Sequence, residues 1–152
     1  MTYHGRNGNK LIWPVALVAA LGTQPITAPA AGQEITVYET PTCGCCIGWD
    51  RHLRSNGFNV TARVLSDVST IKDKYRIPDS LRSCHTAVAG GYVIEGHVPA
   101  DTIKRLLRER PPGAGVAAPG MPKSAPGMDM PGESYNVMLF SSLGISSVYV
   151  RR

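Results

Sequence analysis

Three cysteines lie within four consecutive positions of the sequence, in the stretch TPTCGCC. Cys43 and Cys46 form a CxxC pair, a spacing that can close into a disulfide, and Cys45 lies between them. A bridge between the adjacent Cys45 and Cys46 would be strained, so three crowded thiols do not cross-link a scaffold. The stretch can therefore exchange disulfides through the CxxC pair or hold a soft metal ion with all three sulfurs.

Other side chains could complete such a metal site. A fourth cysteine, Cys84, is followed at once by His85, and imidazole can join thiolates as a metal ligand. A single histidine elsewhere is usually a surface or hydrogen-bonded residue, and methionines of a Gly/Pro-rich stretch can simply pack that stretch onto a domain. Thioether sulfur is nevertheless a soft ligand. The further candidate ligands are His97, Met121, Met128 and Met130.

Local patterns predict the elements that position these residues. Cys46, Trp49 and Leu53 share one face of a predicted helix, whereas His52 lies off that face and is expected to be solvated. Gly90-Gly91 predicts a two-residue hairpin turn. The predicted order is a strand at 34–40, a helix at 46–57, a strand at 58–66, a helix at 67–76, the two hairpin strands, a helix at 101–110, a Gly/Pro/Met-rich loop at 111–134, and strands at 135–140 and 146–150.

This β-α-β-α-β-β-α order resembles the thioredoxin-like fold, which keeps a CxxC between its first strand and first helix. The expected class is α/β, with a mixed sheet and flanking helices, followed by the C-terminal loop and extra strands. The first strands should form a parallel crossover, and the hairpin an antiparallel edge. In such a fold the loop before the third strand packs against the CxxC and usually presents a proline. Here that loop contains Cys84 and His85, so four sulfurs and one imidazole are expected to converge.

The spacing of the cysteines bears on which metal they would hold. A helix start favours the thiolate, which is both a nucleophile and a metal ligand, so position does not separate the two functions. The C-x-C-C cluster does not match the paired C-x₂-C pattern of zinc sites. Soft thiolates select Cu(I), zinc or iron–sulfur units, and vicinal sulfurs, which can bridge more than one ion, suit Cu(I), so the pattern favours copper.

Residues 1–30 are predicted to be a signal peptide. Basic Arg6 and Lys10 precede an apolar run over Leu11–Leu21, and Ala28 and Ala30 have the spacing of a cleavage site. The apolar run is shorter than the roughly 20 residues of a spanning helix, although an uncleaved anchor is the alternative. Export would place residues 31–152 in the periplasm, with membrane contact only during export.

The charge of the chain is moderate. The formal net charge is +5, and the loss of Arg6 and Lys10 with the leader would lower it by two. There is no basic run interleaved with aromatic residues, so we expect no nucleic-acid partner.

Three segments together resemble a family of small exported metal-binding proteins associated with bacterial copper resistance, formerly described as a domain of unknown function. They are VYETPTCGCC…W, LRSCHTAVAGGYVIEGHVPADTIKRLL and PGMP…APGMDMPG, and the resemblance runs from about Thr36 to Arg151. It implies a thioredoxin-like fold, a periplasmic location, and copper ions and other copper-handling proteins as partners. The ligands that it implies are Cys43, Cys45, Cys46 and Cys84, with His85 as a further ligand.

Three hypotheses follow. The leading one is a periplasmic protein that binds Cu(I) and sequesters it or passes it on, with no catalytic residue assigned and copper or thiol redox activity left open. The alternative is a thiol–disulfide oxidoreductase that uses Cys43 and Cys46. The third is an adaptor folded around zinc, which would unfold on chelation because structural zinc contributes folding free energy.

Overall fold

The computed structural model describes residues 1–2, 32–132 and 134–152. The predicted signal peptide at 1–30 lies outside the described residues, apart from Met1 and Thr2. Within the described ranges, no helix combines the length and the apolar character that crossing a membrane requires.

The elements predicted as far as the third helix are confirmed, with small shifts at their ends. A short 3₁₀ helix precedes the hairpin, and three strands follow the third helix. The elements are β1 (Gln33–Glu39), α1 (Gly44–Ser55), β2 (Phe58–Val64), α2 (Ser69–Lys74), the 3₁₀ helix (Asp79–Leu81), β3 (Thr86–Ala89), β4 (Tyr92–Glu95), α3 (Ala100–Glu109), β5 (Gly115–Ala117), β6 (Asn136–Phe140) and β7 (Ser146–Arg151).

The strands form one mixed sheet in the order β2-β1-β3-β4-β5-β6-β7. The expected parallel crossover is confirmed for β1-α1-β2, but β3 runs antiparallel to β1. The hairpin β3–β4 was expected at an edge, and this expectation is wrong. After α3 crosses back, β5 pairs in parallel with β4, and β6 and β7 then extend the sheet, so the hairpin lies inside it.

The strand β5 corrects the prediction of an irregular loop over 111–134. Its three residues are buried between β4 and β6, where they complete both ladders. A Cβ at Gly115 would collide with the carbonyl oxygen of Val93, so glycine is required for the backbones to approach this closely. Sequence propensity penalises glycine in a strand, which is why local pattern missed it.

The core lies between the sheet and the helices α1 and α3. Trp49 and Leu53 are fully buried, as the predicted helix face requires, and pack in one cluster with Val37 and Ile103. Burial of each such side chain contributes about 1.5–3 kcal/mol. The indole Nε1 of Trp49 donates to the carbonyl oxygen of Val98 at 2.9 Å, which ties α1 to the segment that follows β4.

His52 was expected to be solvated, and the structure corrects this. The half-buried imidazole accepts a hydrogen bond at Nε2 from the backbone N–H of Ala100, at 3.1 Å. This N–H belongs to the first turn of α3, which has no side-chain cap of its own. Burial lowers the pKa of His52, which keeps the ring neutral and able to accept.

Candidate metal centre

The CGCC turn forms the start of α1. Cys43 is the residue before the helix, and its carbonyl oxygen accepts the N–H of Cys46 at 3.2 Å. Cys43 and Cys46 are joined by a disulfide. Cys45 is a half-buried free thiol, with its Sγ 3.6 Å from that of Cys43. The turn therefore presents one free thiol beside a closed CxxC pair.

The segment before β3 brings the fourth sulfur to this turn. The Sγ of Cys84 lies 3.7 Å from that of Cys46 and 4.0 Å from that of Cys45. All four Sγ atoms lie within 4.8 Å of one another. The structure thus brings together the four cysteines that the sequence singled out.

Two imidazoles face the same sulfur. The Sγ of Cys84 lies 3.3 Å from Nδ1 of His85 and 3.1 Å from Nε2 of His97. Nδ1 of His97 lies 2.8 Å from the carbonyl oxygen of Pro126. Because a carbonyl only accepts, Nδ1 carries the hydrogen and Nε2 keeps its lone pair toward the sulfur. Cys84 is therefore shared between a four-sulfur group and a sulfur–imidazole group.

The ring of His85 is fully buried between Trp49 and His97, with centroid separations of 4.3 and 4.9 Å. Among the residues that the structure describes, its buried Nε2 has no hydrogen-bond partner. Burial, aided by the nearby His97 and Lys72, holds the pKa of His85 well below its usual value, and burial also lowers the pKa of His97. Both rings are neutral at pH 7, which is the form that binds metals.

The pKa of the Cys84 thiol is raised, whereas a reactive cysteine has a lowered pKa. Burial, followed by the neighbouring Cys45, raises the pKa of Cys84 to about 12. The thiol is protonated at neutral pH in the metal-free protein, so Cys84 is a poor nucleophile. A bound cation would reverse this, because a coordinating thiol loses its proton.

Two solved structures are similar to the chain over almost their whole length. They are titled "Copper resistance protein copG", Form 1 and Form 2, with 42% and 41% sequence identity and a TM-score of 0.75 for each. Each match covers 80% of this chain and 98% of the other. The chain belongs to the CopG family.

A family described as "Protein of unknown function, DUF411" also matches, over residues 81–128. No curated protein matches the sequence. The resemblance to a copper-resistance family is confirmed. The matched residues of this CopG-family chain contain both Cys84 and His97, and the CGCC turn lies outside them.

The methionines of the CopG-family chain do not all pack against the domain. Met121 and Met130 are 57% and 52% exposed, so packing does not explain their presence. Met128 is half-buried. Their role as metal ligands stays a prediction.

The segment around Met128 nevertheless lies against the start of α1. A Cβ on Gly48 would lie 2.9 Å from Cα of Gly127, and a Cβ on Gly127 would lie 2.7 Å from the carbonyl oxygen of Cys45. Gly127 has a φ of +86°, a conformation that favours glycine. Together with the bond from His97 to Pro126, this contact seats the loop beside the CGCC turn of the CopG-family fold.

The position of His97 could have been predicted from the hairpin. In the observed register Ala89 pairs with Tyr92 and Thr86 pairs with Glu95, so residues equally far from the Gly90-Gly91 turn face each other. Continued by two positions, this register places His97 opposite Cys84. The hairpin turn was therefore the sequence feature that could have predicted this position, whereas the residues next to His97 give no such indication.

Proposed function

We propose that this CopG-family protein binds Cu(I) in the periplasm and thereby contributes to copper resistance. The observation that carries the proposal is the convergence of three cysteine sulfurs and two imidazoles on the sulfur of Cys84. The titles of the two similar structures support the choice of copper. The proposed ligands are Cys43, Cys45, Cys46, Cys84 and His85, with His97 as the next ligand and Met121, Met128 and Met130 as outer candidates.

The spacing of the sulfurs suits a thiolate-bound metal. In tetrahedral zinc sites, metal–sulfur bonds of about 2.3 Å place the sulfurs about 3.8 Å apart, which gives a scale for coordination by thiolates. The Sγ separations from Cys43 to Cys45 and from Cys46 to Cys84 are 3.6 and 3.7 Å. The unpartnered Nε2 of His85 is a further donor atom available in the same region.

The disulfide limits which of these sulfurs can act at one time. While Cys43 and Cys46 are joined, Cys45 and Cys84 are the free thiols. Binding by all four sulfurs requires the uptake of two electrons and two protons from a thiol reductant, which converts the bridge into two thiols. The thiols then release their protons when they coordinate the metal.

The proposal also covers the domain organisation, the fold type and the partners of the protein. Residues 1–30 act as a cleavable signal peptide and residues 31–152 form the metal-binding domain. The strand order β2-β1-β3-β4, with β1 and β2 parallel and β3 antiparallel to both of its neighbours, supports a thioredoxin-like assignment for the first part of the sheet. Partners of the domain are copper ions and other periplasmic copper-handling proteins.

The decisive test is a titration of the reduced, metal-free protein with Cu(I) under nitrogen, against a chromophoric Cu(I) chelator. We expect stoichiometric uptake, and X-ray absorption at the copper edge should report mainly sulfur neighbours. The matched control is the same protein with its disulfide closed, which should take up less copper. If the reduced protein leaves all Cu(I) on the chelator, the proposal is wrong.

A second function, thiol–disulfide exchange, is favoured by the closed disulfide between Cys43 and Cys46. It predicts reduction of a model disulfide that Cys43→Ser or Cys46→Ser abolishes and Cys45→Ser preserves. Metal binding predicts instead that Cys45→Ser weakens Cu(I) uptake. The same Cys45→Ser variant, measured in both assays, separates the two functions.

A further inference from the structure

A buried ion pair lies under the segment that contains Cys84. Nζ of Lys72 and Oε1 of Glu95 are 2.6 Å apart, and their side chains are 7% and 0% exposed. Removing two charges from water costs free energy that their attraction does not always offset. The pair therefore calls for an explanation beyond sheet stability, and its hydrogen-bond partners provide one.

Both oxygens of Glu95 hold the neighbouring segment. Oε1 accepts the backbone N–H of Ser83 at 2.6 Å, and Oε2 accepts the hydroxyl of Thr86 at 2.6 Å. Nζ of Lys72 donates to the same Thr86 hydroxyl at 3.0 Å. Ser83 directly precedes Cys84, and Thr86 directly follows His85. One carboxylate thus accepts hydrogen bonds from the residues on both sides of the Cys84-His85 dipeptide.

The backbone beside Glu95 has the same partner. The N–H of Gly96 donates to the carbonyl oxygen of His85 at 3.0 Å. A Cβ on Gly96, whose φ is +71°, would lie 2.6 Å from Cβ of Ser83. The two segments are therefore in direct contact, and the cysteine has little freedom to move away from β4.

We propose that Glu95, held by Lys72, is a positioning residue that fixes Cys84 and His85 in the orientation needed to bind metal. The ligand role of Cys84 rests on the proposed function. The positioning itself is a property of the metal-free chain, and it can be tested without copper.

The alternative is that the ion pair merely stabilises the sheet. The two roles differ in what they predict for the Cys84 thiol. Cys84 is half-buried. A loss of general stability would leave the exposure of its thiol in the folded chain unchanged, whereas the loss of a local clamp would expose the thiol further while the rest of the chain stays folded.

The test compares Thr86→Val and Glu95→Gln with the control Tyr92→Phe. Tyr92 lies at the far end of the same strand, where its hydroxyl donates to the carbonyl oxygen of Pro111 at 2.8 Å. Each protein, metal-free and with its disulfide closed, is treated with iodoacetamide, and alkylation of Cys84 is followed by peptide mass spectrometry. Thermal unfolding is measured in parallel. Thr86→Val is decisive because it removes the hydroxyl without changing any charge near the thiol.

We expect Thr86→Val and Glu95→Gln to raise the alkylation rate of Cys84 by about tenfold or more, because a weakened local clamp raises the population of the locally opened state in which the thiol is exposed. Tyr92→Phe should leave the rate unchanged at a similar loss of Tm. Equal acceleration in Tyr92→Phe, or an unchanged rate in Thr86→Val, would overturn the proposal. If Glu95→Gln leaves Lys72 unpaired and the chain unfolds, Lys72→Met/Glu95→Gln restores neutrality and replaces it.

A Cu(I) titration of the same variants separates this proposal from the proposed function. If the wild-type protein binds no copper but Cys84 is still alkylated faster in Thr86→Val and Glu95→Gln, the copper function is refuted and the positioning role is kept. Normal copper binding by the wild type, with neither affinity nor alkylation changed in Thr86→Val, would refute the positioning role alone.

Discussion

The two segments that meet at the candidate metal centre are held in different ways. The CGCC turn is fixed mainly by backbone bonds of the turn and by its disulfide, and no side chain caps the helix that it begins. The Cys84-His85 segment is held by the buried carboxylate of Glu95 and by the ladder of the hairpin. One segment can change its covalent state within the turn itself, whereas the other is built to stay in place.

The difference suggests that the CGCC turn changes the number of free thiols while the Cys84-His85 segment keeps its position. Opening or closing a CxxC bridge changes the number of thiols without requiring the sheet to move. We expect Cys84, His85 and the neighbouring His97 to keep their positions in either state, because the segment that carries Cys84 and His85 is hydrogen-bonded to Glu95. The first of the following predictions compares the Cys84-His85 segment with the CGCC turn in metal binding, and the others test residues that surround the two segments.

The largest effect is expected for Cys84→Ser. Cys84 belongs to both groups of converging ligands, whereas Cys45 belongs to one of them. We expect Cys84→Ser to weaken the Cu(I) affinity of the reduced protein by at least the roughly 100-fold that removal of a ligand-orienting residue can cost, and Cys45→Ser by about tenfold, measured by chelator competition. Equal losses in the two variants would remove the distinction between the segments.

The next effect concerns His97. Its Nε2 faces Cys84, and its Nδ1 is anchored on the Pro126 carbonyl oxygen. We expect His97→Gln to weaken Cu(I) affinity by about tenfold. The control is His52→Gln, which replaces a histidine whose Nε2 also accepts a hydrogen bond within the fold but which lies outside the two groups of candidate ligands. A weaker affinity in both variants would indicate a general loss of structure.

Gly127→Ala tests how firmly the loop is seated beside the CGCC turn. A methyl group there would meet the carbonyl oxygen of Cys45 at 2.7 Å, in addition to the cost of a positive φ. We expect a loss of about 1–3 kcal/mol in the free energy of unfolding, measured in urea. The control Gly144→Ala has a φ of +80° with nothing within 4 Å of the added atom, so it isolates the cost of the backbone conformation.

The smallest effect is expected at Glu39, the last residue of the strand β1 that leads into the CGCC turn. Glu39 is buried, its Oε2 has no hydrogen-bond partner in the described part of the chain, and burial followed by the charge of Asp50 raises the pKa of its carboxyl group. A raised pKa in the folded state means that stability is present at low pH and lost as the pH rises through that pKa. Glu39→Gln should therefore gain about 0.5–1 kcal/mol at pH 7 relative to pH 4.

Urea denaturation at the two pH values checks this, with Glu34→Gln on the exposed part of the same strand as the control. The quantity to compare is the difference between variant and wild type, since other groups also titrate over this range. A Glu39→Gln variant that is less stable than the wild type at pH 7 would show that the carboxylate has a stabilising partner.

Residue types and spacing in the sequence predicted which cysteines come together at the candidate site. The triple cysteine marked the site, the i, i+3, i+7 face located α1, and the position of Cys84 before a predicted strand indicated convergence. Pairings across the sheet were harder. The strand β5 has three residues including a glycine, and it exists only because β4 and β6 pair with it, which is information that no local window contains.

The buried charges were equally hidden. Lys72 lies among the polar residues of a short helix and gives no sign that it is 5% exposed, since charged side chains are usually solvated. Its partner Glu95 lies in an apolar strand, and that was the one available signal. Their pairing depends on how α2 packs against β4, which is a tertiary property.

The in-register hairpin has a consequence for how such a centre could be moved or lost. Cys84, His85 and His97 lie on one continuous stretch of chain, and the two-residue turn sets which of them meet. One extra residue in the turn would shift the pairing of β3 and β4 by one residue, so that His97 would no longer lie opposite Cys84, with no change of ligand identity. A design that transfers these residues to another protein would therefore need to keep the length of the turn as well as the residues themselves.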